Sequence, residues 1–414
     1  MGRPGGLAIV LLVARQLAVI YGAPLKTTFE GCRRGSLSGV DYDCCPSEYR
    51  GPILDFELKY NASAPVRIRR AMDCLDEDEA SEYGEKLRKG ISLMKALPAD
   101  DPRSFAQQAR LHCAYATGSF VTGSEGFDIH FSWFFHPWHR WFLYFHERIL
   151  QTLLGDPTFT IYFWHWDHDG EAIIGRNKCS KSGMYFPAIY ADPDSPLFHA
   201  ARSLRPEFPA LPVDLGLTGA ESMDVPYRPK DLLLARNVAV MHDVMVIKSN
   251  TSRIFLGRDL RAGGKRVLPY EGGGSLEVTG HASIHWWVGG DLRTPPTAGK
   301  DPVFYAHHGN IDRLWKLWPL GGQGRANPTD PDFLDAEFLF YDETKNVVRV
   351  KVRDAMDTRA LGYVYEFEER NEAWWNYQST WNSWLKPVTH GPDTTTERSQ
   401  VGAEIVSFSK RGGG

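Results

Sequence analysis

The sequence predicts a mainly α-helical fold with long loops and a few short β-strands. Three observations lead there. Apolar residues recur at helical spacing through 68–97, 105–116 and 231–249. His281 and His285 stand four apart, so a helix projects both rings from one face. Alternation sufficient to suggest a short hairpin runs through 337–354.

At ~150 residues per domain, 414 residues allow one large domain or two to three small ones. Thirteen Trp and twenty-two Phe point to a bulky aromatic core. A net charge of −4 without a basic block argues against nucleic acid as a partner.

Arg3, the apolar run Leu7 to Ala14 and a second run ending at Gly22-Ala23 predict a signal peptide over 1–23. The expectation is the secretory pathway, vacuolar or extracellular, with no membrane attachment after cleavage. An uncleaved anchor needs a longer uninterrupted span. Asn61-Ala-Ser and Asn250-Thr-Ser match the glycosylation sequon. Cys32, Cys44 and Cys45 crowd the N-terminal arm in a pattern unlike zinc ribbons, which favours an oxidising compartment.

Residues 24–60 are rich in turn formers and read as an arm wrapped on the body. The helical spacing of 68–97 (Tyr83, Leu87, Ile91, Met94) stops at Pro98. Asp100 to Ser104 caps a second helix, 105–116, which carries His112. His130 and His139 are nine residues apart, which leaves them about half a turn out of phase on one straight helix. Pro137 resolves this, because proline is tolerated in a first turn and a new helix can begin there. An aromatic stretch, 159–169, leads into Gly/Ser/Pro-rich loop to about 230. A helix follows over 231–249, then a glycine-rich loop over 263–276. The His281/His285 helix is followed by a loop and a helix carrying His307 and His308. After a loop over 320–335, 337–354 reads as a short hairpin. Trp374, Tyr377, Trp381 and Trp384 predict an amphipathic helix docked on the body, and the chain from His390 reads as frayed.

Two histidine triples stand out, His112/His130/His139 and His281/His285/His308. A lone buried histidine is more often a satisfied core residue than a ligand; two triples flanked by aromatic helices are harder to dismiss. Three neutral imidazoles without a thiolate suit copper, zinc, iron or nickel. The absence of a carboxylate ligand argues against the non-haem iron facial triad. At this level the metal stays open.

Phe134-Phe-His-Pro-Trp-His139-Arg-Trp-Phe-Leu-Tyr-Phe-His-Glu147-Arg and Asp301-Pro-Val-Phe304-Tyr-Ala-His-His308-Gly-Asn-Ile-Asp312-Arg resemble the two copper-binding signatures of the tyrosinase and polyphenol oxidase family. The likeness to plant-type polyphenol oxidases, or catechol oxidases, runs from about Cys32 to Leu361-Gly-Tyr363-Val-Tyr365. It implies an antiparallel four-helix bundle holding a dinuclear type-3 copper centre, in a catalytic domain over 24–366 with a tail over 367–414. His112, His130 and His139 would hold the first copper, and His281, His285 and His308 the second, with His307 behind. Glu277 falls where the family places a carboxylate that orients a water. Phe304 matches the aromatic over the first copper. Arg140, Glu147 and Asp312 look like positions that pair and support the ligand-bearing helices. The family disulfides map to Cys32–Cys45 and Cys44–Cys113, leaving Cys74 and Cys179 either bonded or free.

Several positions depart from the family pattern. Ala116 stands where plant enzymes carry a cysteine bonded to the second histidine, so packing alone is expected to hold His130. Pro295 replaces a gating Phe expected over the second copper, which would open the substrate entrance. Ala282 replaces an Asn associated with deprotonating monophenols. The chain stops soon after Tyr365, so latency through a C-terminal shielding domain is not expected.

The resemblance implies oxidation of o-diphenols to o-quinones with O2, with weak or no monophenolase activity. Substantial tyrosinase activity is the first alternative. A haemocyanin-like oxygen carrier and a zinc hydrolase or structural zinc protein are the others. His136, His146, His165, His168, His199, His242 and His390 read as surface or supporting groups, and an accessory ion at His165/Asp167/His168/Asp169 is the less favoured reading.

Overall fold

The computed structural model describes residues 23–47, 51–58, 65–122, 125–169, 173–174, 177–179, 182–202, 210–218, 229–264, 272–322, 324–369 and 372–378. The N-terminal run through Gly22, Asn61, Trp381, Trp384 and His390 lie outside them. Among the described residues, no helix is long and apolar enough to cross a membrane.

Helix α1 (Glu77–Ala96) begins at a reciprocal capping box in which Asp76 and Glu79 each accept the other's backbone N–H. Its Tyr83, Leu87, Ile91 and Met94 face the core. The helix therefore starts later than the spacing from Ile68 predicts. Arg67–Arg69 instead forms strand β2, paired in parallel with β5 (Tyr363–Tyr365). A partner almost three hundred residues away overrides local periodicity there.

Ser104 caps α2 (Phe105–Ala116) by accepting from Gln107 N. Helix α3 (Phe135–Leu154) starts two residues before Pro137, which costs no intrahelical bond in the first turn, and ends at Gly155 with φ 65°. Helix α4 (Lys230–His242) runs on into a π-helical turn, Asp243–Ile247. Another π-helical turn, Glu277–His281, leads into α5 (Ala282–Val288). Just ahead of α6 (Val303–Leu317), Asp301 accepts from Val303 N at 3.0 Å and is clamped by Arg202 at 2.6 and 2.7 Å.

Helices α2, α3, α5 and α6 form the four-helix bundle, and most of α2 and α3 and nearly all of α6 are buried. The expected hairpin is present as β3 (Glu337–Tyr341) against β4 (Val347–Lys351), with β1 (Leu54–Asp55) parallel to β4. The described residues of the expected tail helix do not form one, and Trp381 and Trp384 lie outside them. Ala373–Asn376 is one 3-10 turn that buries Trp374 and Trp375, and the indole N–H of Trp374 donates to Asp167 at 2.9 Å.

All six cysteines are bonded, as Cys32–Cys45, Cys44–Cys113 and Cys74–Cys179. The second pair fastens the arm one residue past His112.

Arg140 on α3 donates to Asp312 on α6 at 2.6 Å, and the Tyr363 and Tyr365 hydroxyls donate to the other carboxylate oxygen at 2.7 and 2.6 Å. Arg69 lies 3.5 Å from Asp312, donates to Glu147 at 2.9 Å and stacks on Tyr363 at 3.7 Å. Glu147 also accepts from Ile161 N. Burial alone would raise the Asp312 pKa, but the two guanidiniums and two hydroxyls outweigh it and hold Asp312 ionised. Removing one member of a buried pair leaves an unpaired charge. Asp312→Ala is expected to cost about 3–5 kcal/mol, measured by chemical denaturation.

Candidate metal centre

Each bundle helix delivers histidine to one place. His112 comes from α2, His139 from the first turns of α3, His285 from α5 with His281 on the π-helical turn before it, and His307 and His308 from α6. His130 sits on the loop ahead of α3. In the first set the ring centroids are 5.3 Å (His112–His130, His130–His139) and 5.5 Å (His112–His139) apart. In the second, His281–His285 is 4.3 Å, His281–His308 5.0 Å and His285–His308 5.6 Å. His139 stacks on His308 at 4.2 Å, so the two sets meet.

His307 belongs to the same neighbourhood, 5.3 Å from His281 and 5.0 Å from His285. It turns toward Trp166, whereas His308 turns toward His139 and Phe304.

The rings are held in one tautomer by local acceptors. His139 Nδ1 donates to Phe135 O at 2.7 Å, His281 Nδ1 to Glu277 O at 3.1 Å and His285 Nδ1 to Leu292 O at 2.5 Å. In each case Nε2 is buried without a hydrogen-bond partner among the described residues, and so are both ring nitrogens of His308. Such orphans are costly unless something ligates them. Burial pushes His112, His139, His281, His307 and His308 well below the usual histidine range, and His285 down to about 4. The rings are therefore neutral with lone pairs available, and the two clusters are positioned for a dinuclear copper site.

His130 is not held by packing alone. Asp128 Oδ1 lies 2.9 Å from both its backbone N and its ring Nδ1. This is the carboxylate–histidine pairing that fixes a ligand's tautomer. Asp128 escapes sequence reading because a lone Asp two residues before a His signals only a turn. Ala116, where a thioether partner is missing, is buried in α2.

Phe304 lies across the junction, 4.1 Å from His308 and 4.9 Å from His112. Glu277 is buried. Its Oε1 accepts from Phe131 N at 2.6 Å, no hydrogen bond to Oε2 meets the distance and angle limits among the described residues, and Phe131 holds a left-handed φ of 55°. Burial, with Asp128 nearby, pushes the Glu277 pKa well up against the opposing Phe131 bond. Pro295 opens a short helix, Pro295–Ala298. Ala282 is buried on α5. His136, His146, His165 and His168 are buried, not surface groups.

The model of the common central domain of tyrosinase matches residues 102–320, and that of the polyphenol oxidase middle domain matches 327–380. A chloroplastic polyphenol oxidase of Malus domestica is 43% identical over 79% of this chain and 52% of its own length. The chloroplastic (+)-larreatricin hydroxylase of Larrea tridentata is 41% identical over 79% of this chain and 53% of its own. This chain thus spans about half the length of the curated relatives it matches. The crystal structure of Grenache (Vitis vinifera) polyphenol oxidase superposes with a TM-score of 0.73 at 38% identity, over 83% of this chain and 97% of that one. Relatives from Ipomoea batatas, Vicia faba and Spinacia oleracea are also named chloroplastic, which overturns the expectation of a vacuolar or extracellular protein. Disulfides demand an oxidising lumen, a condition the secretory route is not alone in meeting. Two family models in sequence order, close relatives and a shared fold agree: the chain belongs to the tyrosinase family of type-3 copper proteins, in its plant polyphenol oxidase branch.

Proposed function

We propose that the chain is a catechol oxidase, converting o-diphenols to o-quinones with O2 and showing weak or no monophenolase activity. The observation that carries this reading is the stacked contact of His139 with His308, which brings two histidine sets face to face at 4.2 Å. We assign the first copper to His112, His130 and His139, and the second to His281, His285 and His308, with His307 behind. When bound, the copper pair supplies a two-electron exchange between the diphenol and O2. The chain's own part is to hold six imidazoles in place, and Phe304 covers their junction and keeps water from it. We place the chain in the chloroplast on the names of its relatives.

Hydroxylating a monophenol adds a demand, because a phenol with a pKa near ~10 must lose its proton on binding. Glu277 Oε2 is the available acceptor, and this favours a second reading with substantial monophenolase activity. Ala282 favours the first, since it offers no amide to hold a water beside that carboxylate. The name of the Larrea relative, a hydroxylase, shows that the branch is not uniform.

The copper-loaded chain is expected to bind two coppers and to take up oxygen faster with catechol than with tyramine. His308→Ala should lose one copper and the uptake. Elemental analysis with an oxygen electrode checks both; a wild-type rate on tyramine equal to that on catechol would sink the catechol oxidase reading. Ala282→Asn is expected to raise the tyramine-to-catechol rate ratio. Because the Glu277 pKa is raised, its carboxylate form grows as pH rises through that value. The tyramine rate should therefore climb with pH, while Glu277→Gln should lower it by about 10²-fold and flatten the profile.

A further inference from the structure

We infer that His165, His168 and Glu372 form a third metal site, apart from the paired histidine sets, that takes a divalent ion of zinc type and fastens segment 372–378 to the helical body. The inference does not depend on the proposed activity. Their ligating atoms lie within 4.8 Å of one another, and all three side chains are at most 2% exposed.

The surroundings are those of a metal site. His165 Nε2 faces Glu372 Oε1 at 2.9 Å, and its other nitrogen, Nδ1, faces Asp73 Oδ2 at 3.4 Å. A carboxylate behind a ring is what orients a ligating histidine. Arg313 donates to Glu372 Oε1 and lies 3.3 Å from Asp167, so one oxygen of Glu372 is taken and Oε2 is left. His168 Nδ1 stands 3.5 Å from that Oε2. Among the described residues, no hydrogen bond satisfies Oε2 or either ring nitrogen of His168. One buried nitrogen of His168 and Glu372 Oε2 thus stand close to the His165 ring with no hydrogen bond of their own among the described residues.

Charge points the same way. Asp73, Asp167 and Glu372 carry three formal negative charges, and Arg313 carries one positive charge. The surplus of two is expensive to bury. A divalent ion on two neutral imidazoles and a carboxylate cancels it, and a His2Glu donor set suits zinc.

The site would also explain the tail. Glu372 and Trp374 reach back to the 164–169 loop, and an ion there adds bonds across 207 residues of sequence.

The test uses the full copper-loaded chain, incubated with zinc sulfate and desalted, followed by elemental analysis and thermal denaturation. Wild type should hold one zinc beside its copper and melt higher with zinc than without. His168→Gln and, separately, Glu372→Gln should lose the zinc and its effect on melting while keeping the copper. Should either variant fail to fold, the zinc dependence of wild-type melting still decides. No retained zinc, or zinc retained equally in both variants as at an adventitious surface site, overturns the inference. Copper content reads the paired histidine sets separately.

Discussion

The buried pair of Arg140 and Asp312 is the constraint on which the histidine geometry depends. Each member adjoins a histidine of the centre: Arg140 follows His139 directly, and Asp312 lies one turn beyond His308. Their 2.6 Å contact therefore sets the register of α3 against α6, and with it the stack of His139 on His308. Two tyrosine hydroxyls and Arg69 complete the shell around the carboxylate. A buried network of this kind, with both oxygens of Asp312 bonded, favours one sliding position for the two helices. Apolar ridges alone would tolerate small shifts.

Burial does two jobs at the centre. It strips the imidazoles of protons, and it leaves their Nε2 atoms without water. The same burial raises the Glu277 pKa, so one environment yields neutral bases and a reluctant acid side by side. Backbone carbonyls at Phe135, Glu277 and Leu292 supply the aim. Because those acceptors are main-chain atoms, ring orientation depends on helix geometry more than on the identity of neighbouring side chains.

What could be read from the sequence was local. The His281/His285 spacing, the restart of a helix near Pro137 and the alternation through Phe338 and Phe340 each depend on residues a few positions apart, and all three appear in the structure. What could not be read was long-range. Ile68 has helical spacing yet sits in a strand because Tyr363–Tyr365 pairs with it. Trp374 sits on a 3-10 turn because Asp167 holds its indole. Asp128 and Arg69 become informative only once folding brings them to His130 and Asp312. The location was misread for a different reason: cysteine content reports redox conditions and not an address.

The π-helical turn at Glu277–His281 separates two tasks that regular helical pitch would tie together. In an ordinary α-helix, residues four apart share a face, so any rotation that re-aimed the acid would carry the ligand with it. The wider turn lets the Glu277 carbonyl steady His281 while its side chain reaches sideways to Phe131. Changes near residue 131 can therefore re-aim the Glu277 carboxylate while the carbonyl contact that fixes the His281 ring stays as it is.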